Sequence, residues 1–116
     1  MVWPEPSDHS EEGGMTIDEY ADWTARIPRR RPESTIPPDE TTWLAYLGLG
    51  LAGEAGEVVE HIKKLLRDGA WDPDRVAEEL GDVAYFWTCL CLAAGRKPSE
   101  VLAASAAKIG ARAGAR

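Results

Sequence analysis

Positive charge is what this chain most lacks. It carries 13 Lys and Arg against 20 Asp and Glu, a net charge of −7. A protein that grips a phosphate backbone needs a basic footprint, so nucleic acid is not an expected partner. The deficit leaves room for a small phosphorylated substrate, because carboxylates hold metal ions that in turn hold phosphate. Cysteine is also scarce. Cys89 and Cys91 lie close together in an apolar stretch and cannot make a disulfide framework. No positively charged start leads into an apolar run, so no signal peptide is legible. No stretch of about 18 apolar residues is present to span a bilayer. The expected setting is the reducing cytoplasm, away from membranes. Strand signals are nearly absent as well, since no alternation of apolar and polar residues persists.

What is present reads as helix. The 116 residues suffice for one domain, and so small a chain leaves enough surface that an oligomer is expected. Residues 1–14 hold Glu5, Asp8, Glu11 and Glu12 and no Lys or Arg, the composition of a disordered acidic tail. Met15 is a second candidate start. The expected helical domain covers residues 15–112, with 113–116 frayed. Thr16 to Glu19 has capping-box form and opens a helix to about Ile27, with Ile17, Tyr20, Ala21, Thr24 and Ile27 on one face. A proline-rich loop follows. From about Glu40 to Arg67, Leu44, Leu47, Leu51, Val58, Ile62 and Leu65 form one apolar stripe. Gly48, Gly50, Gly53 and Gly56 interrupt it, each costing about 1 kcal/mol against alanine. They call for close helix approach, a bend, or a ligand against the backbone. Asp68-Gly69 ends this helix, and Asp72-Pro73 starts a third, running to about Ala94 with Val76, Leu80, Val83, Trp87, Leu90 and Ala94 inward. Pro98-Ser99-Glu100 opens a fourth, ending near Ala111. The fold class is all-α: a four-helix bundle around a central antiparallel hairpin.

Four acids stand out on that hairpin. Glu54 and Glu57 are spaced i, i+3, as are Glu79 and Asp82, so each pair shares a helical face. Glu54 occupies a stripe position where leucine is expected. Glu79 and Asp82 precede Leu80 and Val83 and flank the expected core face. Both pairs are equally distant in sequence from the Asp68-Gly69 turn. In an antiparallel hairpin they therefore lie at one height, about 15 to 18 Å from the tip at 1.5 Å per residue. Clustered carboxylates repel one another and are costly near a core. The bland alternative is a set of solvated surface acids. The matched heights and the inward setting of Glu54 favour a groove that takes a hard divalent cation, Mg²⁺ being the usual one that also bridges phosphate.

These residues carry a resemblance. Gly53-Glu54-Ala55-Gly56-Glu57, followed after a spacer by Glu79-Leu80-Gly81-Asp82-Val83, resembles the ExxE…ExxD signature of the MazG-type all-α nucleoside triphosphate pyrophosphohydrolases. Leu49 to Ala52 before it and Lys63-Lys64 after it are similar too. The resemblance implies an enzyme that uses Mg²⁺, with Mn²⁺ as an alternative, to convert a (d)NTP to the monophosphate and pyrophosphate in nucleotide-pool housecleaning. It carries the metal-ligand role onto Glu54, Glu57, Glu79 and Asp82, one of which alternatively polarises the attacking water. The metal would neutralise the triphosphate and stabilise the leaving group. Ser105, Lys108 and Arg112 align with a family pattern Asn-x-x-Lys-Leu-x-x-Arg, in which Lys108 and Arg112 would meet phosphate oxygens. Ser105 replaces the asparagine. That departure supports the rival reading, a non-catalytic helical oligomer that binds nucleotide or a partner. The family forms dimers or tetramers, so a homodimer or homotetramer is expected.

The remaining candidates each have two readings. Lys63 and Lys64 follow Glu60 by three and four residues, as helical ion pairs do; the alternative is contact with substrate phosphate. His61 falls near the inward stripe, as a satisfied core or interface histidine rather than a ligand. Cys89 and Cys91, two apart on a helix, read as buried thiols and not as a zinc site. Trp43, Tyr46, Phe86 and Trp87 read mostly as core, with base stacking as the alternative role for one of them. Arg29 to Arg31 reads as a solvated loop, with triphosphate contact as the alternative.

Overall fold

The computed structural model describes residues 14–29 and 39–114. The acidic segment, the proline-rich loop with Arg30 and Arg31, and the last two residues fall outside them. Among the described residues there are four helices and no strand: α1 Ile17–Ala25, α2 Glu40–Asp68, α3 Pro73–Ala93 and α4 Pro98–Gly114. No described helix is long and apolar enough to cross a membrane.

The helix ends follow from local chemistry. Thr16 accepts the Glu19 amide at 3.1 Å while its own amide donates to the Glu19 carboxylate at 2.8 Å, a closed capping box. Asp39 caps α2 by accepting the Thr42 amide at 2.8 Å. Gly69 ends α2 in the left-handed region, φ 71°, donating its amide to the Leu65 carbonyl at 2.9 Å. A Cβ is costly in that conformation, which is why glycine stands there. Asp72 caps α3 through the Arg75 amide at 3.2 Å. The fourth helix continues about a turn past the expected end near Ala111, to Gly114: Gly110 keeps helical backbone and does not act as a left-handed cap, and alanines carry the helix on.

The chain divides into two compact units, one taking in the chain up to Arg29 and from Cys91 onward, the other spanning Arg30–Leu90. In the first unit α1 and α4 are joined through Asp18, whose carboxylate accepts the Ser99 amide at 3.1 Å and the Ser99 hydroxyl. A carboxylate suits the amide-rich start of a helix. These two bonds hold Asp18 below the usual carboxylate range, with Lys97 adding to the effect. Ala21 and Thr24 are buried on α1, and Ile17, Tyr20 and Ile27 are half-buried, as the one-faced pattern requires. The Thr24 hydroxyl is satisfied by the Ala21 carbonyl at 2.8 Å.

In the second unit α2 and α3 form the antiparallel hairpin. Contacts run down α3 as they climb α2: Tyr46 meets the Phe86 ring edge-on at 5.7 Å, Gly50 faces the same ring, and Glu54 and His61 reach residues nearer the turn. Gly50 and Phe86 are equally distant in sequence from Asp68, which is the register the acid pairs imply. A methyl on Gly50 would overlap the Phe86 ring, so this glycine answers to close helix approach. Gly48, Gly53 and Gly56 have open space where a Cβ would stand. Trp43 stacks on Tyr46 at 5.5 Å and is buried, and Tyr85 meets Phe86 edge-on at 5.3 Å.

The inward faces differ from the expected ones in setting. On α2, Leu47 is fully buried and Leu51 and Val58 half-buried, while Leu44, Ile62 and Leu65 remain about 40% exposed. On α3, Val76 is buried and Val83, Trp87 and Leu90 are half-buried, but Leu80 is 51% exposed and Ala94 lies exposed past the helix end. Between Val76 and Val83 it is Glu79, half-buried, and not Leu80 that faces α2. Thr88 is fully buried with its hydroxyl unpartnered among the described residues. Replacing an unsatisfied buried hydroxyl by a methyl of the same shape removes a desolvation cost. Thr88→Val is therefore expected to stabilise the fold by about 1 kcal/mol, read from the urea midpoint at unchanged m-value.

Candidate metal centre

Three of the four acids converge. One carboxylate oxygen each from Glu54, Glu79 and Asp82 lies within 4.8 Å of the others; Glu54 and Glu79 are half-buried and Asp82 is exposed. The Asp39 cap and the Gly69 turn set the ends of α2, and the short turn to Asp72 brings α3 back at matching height. Glu57 lies outside this group and is exposed. It is still close enough to act on Glu54 by charge. Burial raises the Glu54 carboxyl above the usual glutamate range, and the neighbouring Asp82, Glu79 and Glu57 raise it further. Among the described residues no Lys or Arg pairs with Glu54 or Asp82. Crowded, partly buried and made of oxygen donors only, the trio fits a hard divalent cation.

His61 approaches Glu79 from α2, Nε2 to Oε1 at 3.7 Å, with the two side chains only 12% and 14% exposed. Sequence reasoning placed this histidine near the inward stripe and missed its acidic neighbour. The available signal was its position two turns after Glu54. Lys63 pairs with Glu60 at 2.9 Å as the helical spacing implies, and the ion pair holds the Glu60 carboxyl below its usual range. Lys64 is exposed beside it. Cys89 is half-buried and Cys91 buried, and burial pushes the Cys91 thiol up.

On α4, Ser105 and Lys108 line a cavity of about 540 Å³ together with Arg96, Glu100, Val101 and Ala104. Ser105 is half-buried, and Arg112 is exposed one turn after Lys108. Arg96 and Glu100 are members of this lining that the sequence reading did not single out.

An all-helical hairpin carrying paired acids at one height defines the class of protein. Residues 44–115 match the MazG nucleotide pyrophosphohydrolase domain, and the chain belongs to that family. It is also similar to the "Gene 37 protein" of Mycobacterium phage L5, 40% identical over 53 residues. That match covers 41% of this chain and 46% of the phage protein, so the chain spans less than half of the relative it matches. No solved structure matches the chain significantly.

Proposed function

We propose that the protein is a Mg²⁺-dependent nucleoside triphosphate pyrophosphohydrolase, converting a (d)NTP to (d)NMP and pyrophosphate, with Mn²⁺ as an alternative ion. The observation that carries the reading is the trio of Glu54, Glu79 and Asp82 oxygens within 4.8 Å of one another. Glu54, Glu79 and Asp82 would hold the ion, and Glu57 would join them or act on Glu54 by charge. The bound ion supplies neutralisation of the triphosphate and of the leaving pyrophosphate. No covalent nucleophile is needed. A carboxylate of the group, once ionised, is placed to accept a proton from an attacking water. Lys63 and Lys64 on α2 are the proposed phosphate contacts of the same unit, Lys63 exchanging its Glu60 partner for substrate. Ser105, Lys108 and Arg112 are proposed to bind substrate on the family pattern, and their alanine variants are read from KM. The proposed setting is cytoplasmic, as a homo-oligomer.

The test is a panel of common and damaged (d)NTPs with Mg²⁺ or Mn²⁺, reading pyrophosphate against orthophosphate. Pyrophosphate release from at least one nucleotide supports the reading, and orthophosphate alone overturns it. Nucleotide binding without product across the panel favours the non-catalytic alternative.

The raised Glu54 carboxyl has a sign that can be checked. A group whose folded pKa is raised contributes stability that is present in full below the ordinary glutamate value, about 4.3. That contribution is lost as pH rises through the raised value. Above it, the ionised Glu54 weakens the metal-free fold. Glu54→Gln is expected to stabilise the metal-free protein at pH 7 by about 0.5–1 kcal/mol and to abolish its stabilisation by Mn²⁺. Thermal melts with and without the ion read both effects.

A further inference from the structure

We propose that His61 is a positioning residue for Glu79, holding that carboxylate in place for the metal; the proposal rests on the reading of Glu54, Glu79 and Asp82 as metal ligands. Glu79 is crowded by two acids that push it away before any ion arrives. A glutamate has three rotatable side-chain bonds, and repulsion alone would leave it dispersed over rotamers that face elsewhere. His61 stands against it. The imidazole Nε2 lies 3.7 Å from Glu79 Oε1 and outside the 4.8 Å group that Glu79 makes with Glu54 and Asp82. The ring thus stands beside Glu79, placed to limit its rotamers, without itself belonging to the ligand set.

Burial distinguishes this contact from an incidental one. The partners in Lys63–Glu60, Arg67–Asp68 and Arg75–Glu78 are all at least half exposed, and each pair is local to one helix. His61 and Glu79 are 12% and 14% exposed and belong to different helices. Such a contact is shielded from water and fixed by the hairpin register. The residue type fits the task. An imidazole N–H is a directed donor, and from 3.7 Å a small adjustment of Glu79 brings its carboxylate within hydrogen-bond reach, whereas a lysine would offset the charge meant for the ion. Metal-ligating carboxylates are commonly held by such outer partners, whose loss costs about 10–100-fold in metal affinity. His61 acts through Glu79 and touches neither substrate nor reacting atoms.

The experiment titrates Mn²⁺ alone into the full chain, without nucleotide, following the free-ion signal by electron paramagnetic resonance. The variants are His61→Leu, His61→Gln and Glu79→Gln, with circular dichroism confirming helix content. Leucine keeps apolar volume and removes the N–H; glutamine restores an N–H at similar reach. The expected result is an Mn²⁺ dissociation constant about 10–100-fold higher for His61→Leu, with His61→Gln close to the unsubstituted chain and Glu79→Gln losing the site. Unchanged affinity in His61→Leu, alongside loss in Glu79→Gln, overturns the positioning role while sparing the metal site. Equal losses in the leucine and glutamine variants also overturn it. Absence of Mn²⁺ binding by the unsubstituted chain overturns the metal reading and this role with it. If the leucine variant does not fold, His61→Asn, too short to reach Glu79, replaces it in the comparison with glutamine.

Discussion

Asp82→Asn is expected to lower pyrophosphate release by about 100-fold or more, since the metal's stabilisation of developing charge is worth several kcal/mol and each 1.36 kcal/mol is tenfold in rate. The change is nearly isosteric, and Asp82 is exposed, so the fold has no packing to lose. It also removes one of the two nearest charges acting on Glu54, whose carboxyl then moves back toward its ordinary value. The substitution thus has two opposed effects, the loss of a donor and a more readily ionised Glu54, and the lost donor is the larger. Most of the loss belongs in kcat if the charge is needed in the transition state, and in the apparent metal affinity if the ligand set collapses. Titrating Mg²⁺ at saturating nucleotide separates these. Full turnover in Asp82→Asn would sink the site assignment. Glu57→Ala is informative beside it. A comparable loss places Glu57 among the ligands, whereas a loss below about tenfold, or 1.4 kcal/mol, leaves it as a charge acting from outside.

Leu47→Ala is expected to cost about 3 kcal/mol, within the 2–5 kcal/mol range for leucine truncation in a core. Leu47 is the largest apolar side chain of α2 that is wholly buried, at 0% exposure. A domain of this size has about 5–15 kcal/mol of total stability. The loss is thus a large share, and the thermal midpoint should fall by about 10–20 °C. Leu66→Ala, at a position 83% exposed, is the matched control and is expected to change stability little. Equal effects of the two would contradict the burial pattern of α2.

The contrast between Leu47 and Leu66 shows which parts of the molecule were legible beforehand. Several helix ends were, because Thr16, Gly69 and Asp72 act on backbone groups within a few residues and need no partner from elsewhere. Hairpin register was legible for a related reason. The Asp68-Gly69 turn fixes where the chain reverses, and equal distances from it place Gly50 beside Phe86 and Glu54 near Asp82. The partner of Glu79 was not. Val76, Val83, Trp87 and Leu90 face inward as the periodicity requires, but Glu79 and Leu80 differ by 100° around the helix, and which of them meets α2 depends on the side chains opposite. His61 is one of those, and an interhelical contact of that kind leaves no signal in the spacing of either helix. The family signature located the four acids without separating Glu57 from the other three, because spacing places a side chain on a face and says nothing of its rotamer.

The bonds from Ser99 to Asp18 span 81 residues of chain. The α2–α3 hairpin closes over the four residues between Asp68 and Pro73. Loop-closure entropy grows with separation, and contacts far apart in sequence are made late. The two units therefore differ in kinetic character: the acid-bearing hairpin can nucleate locally, while α1 and α4 must wait for the chain to bring its distant segments together. Hydrogen exchange during refolding should protect α2 and α3 first. The site's scaffold is thus expected to form before the Asp18–Ser99 clasp of the other unit.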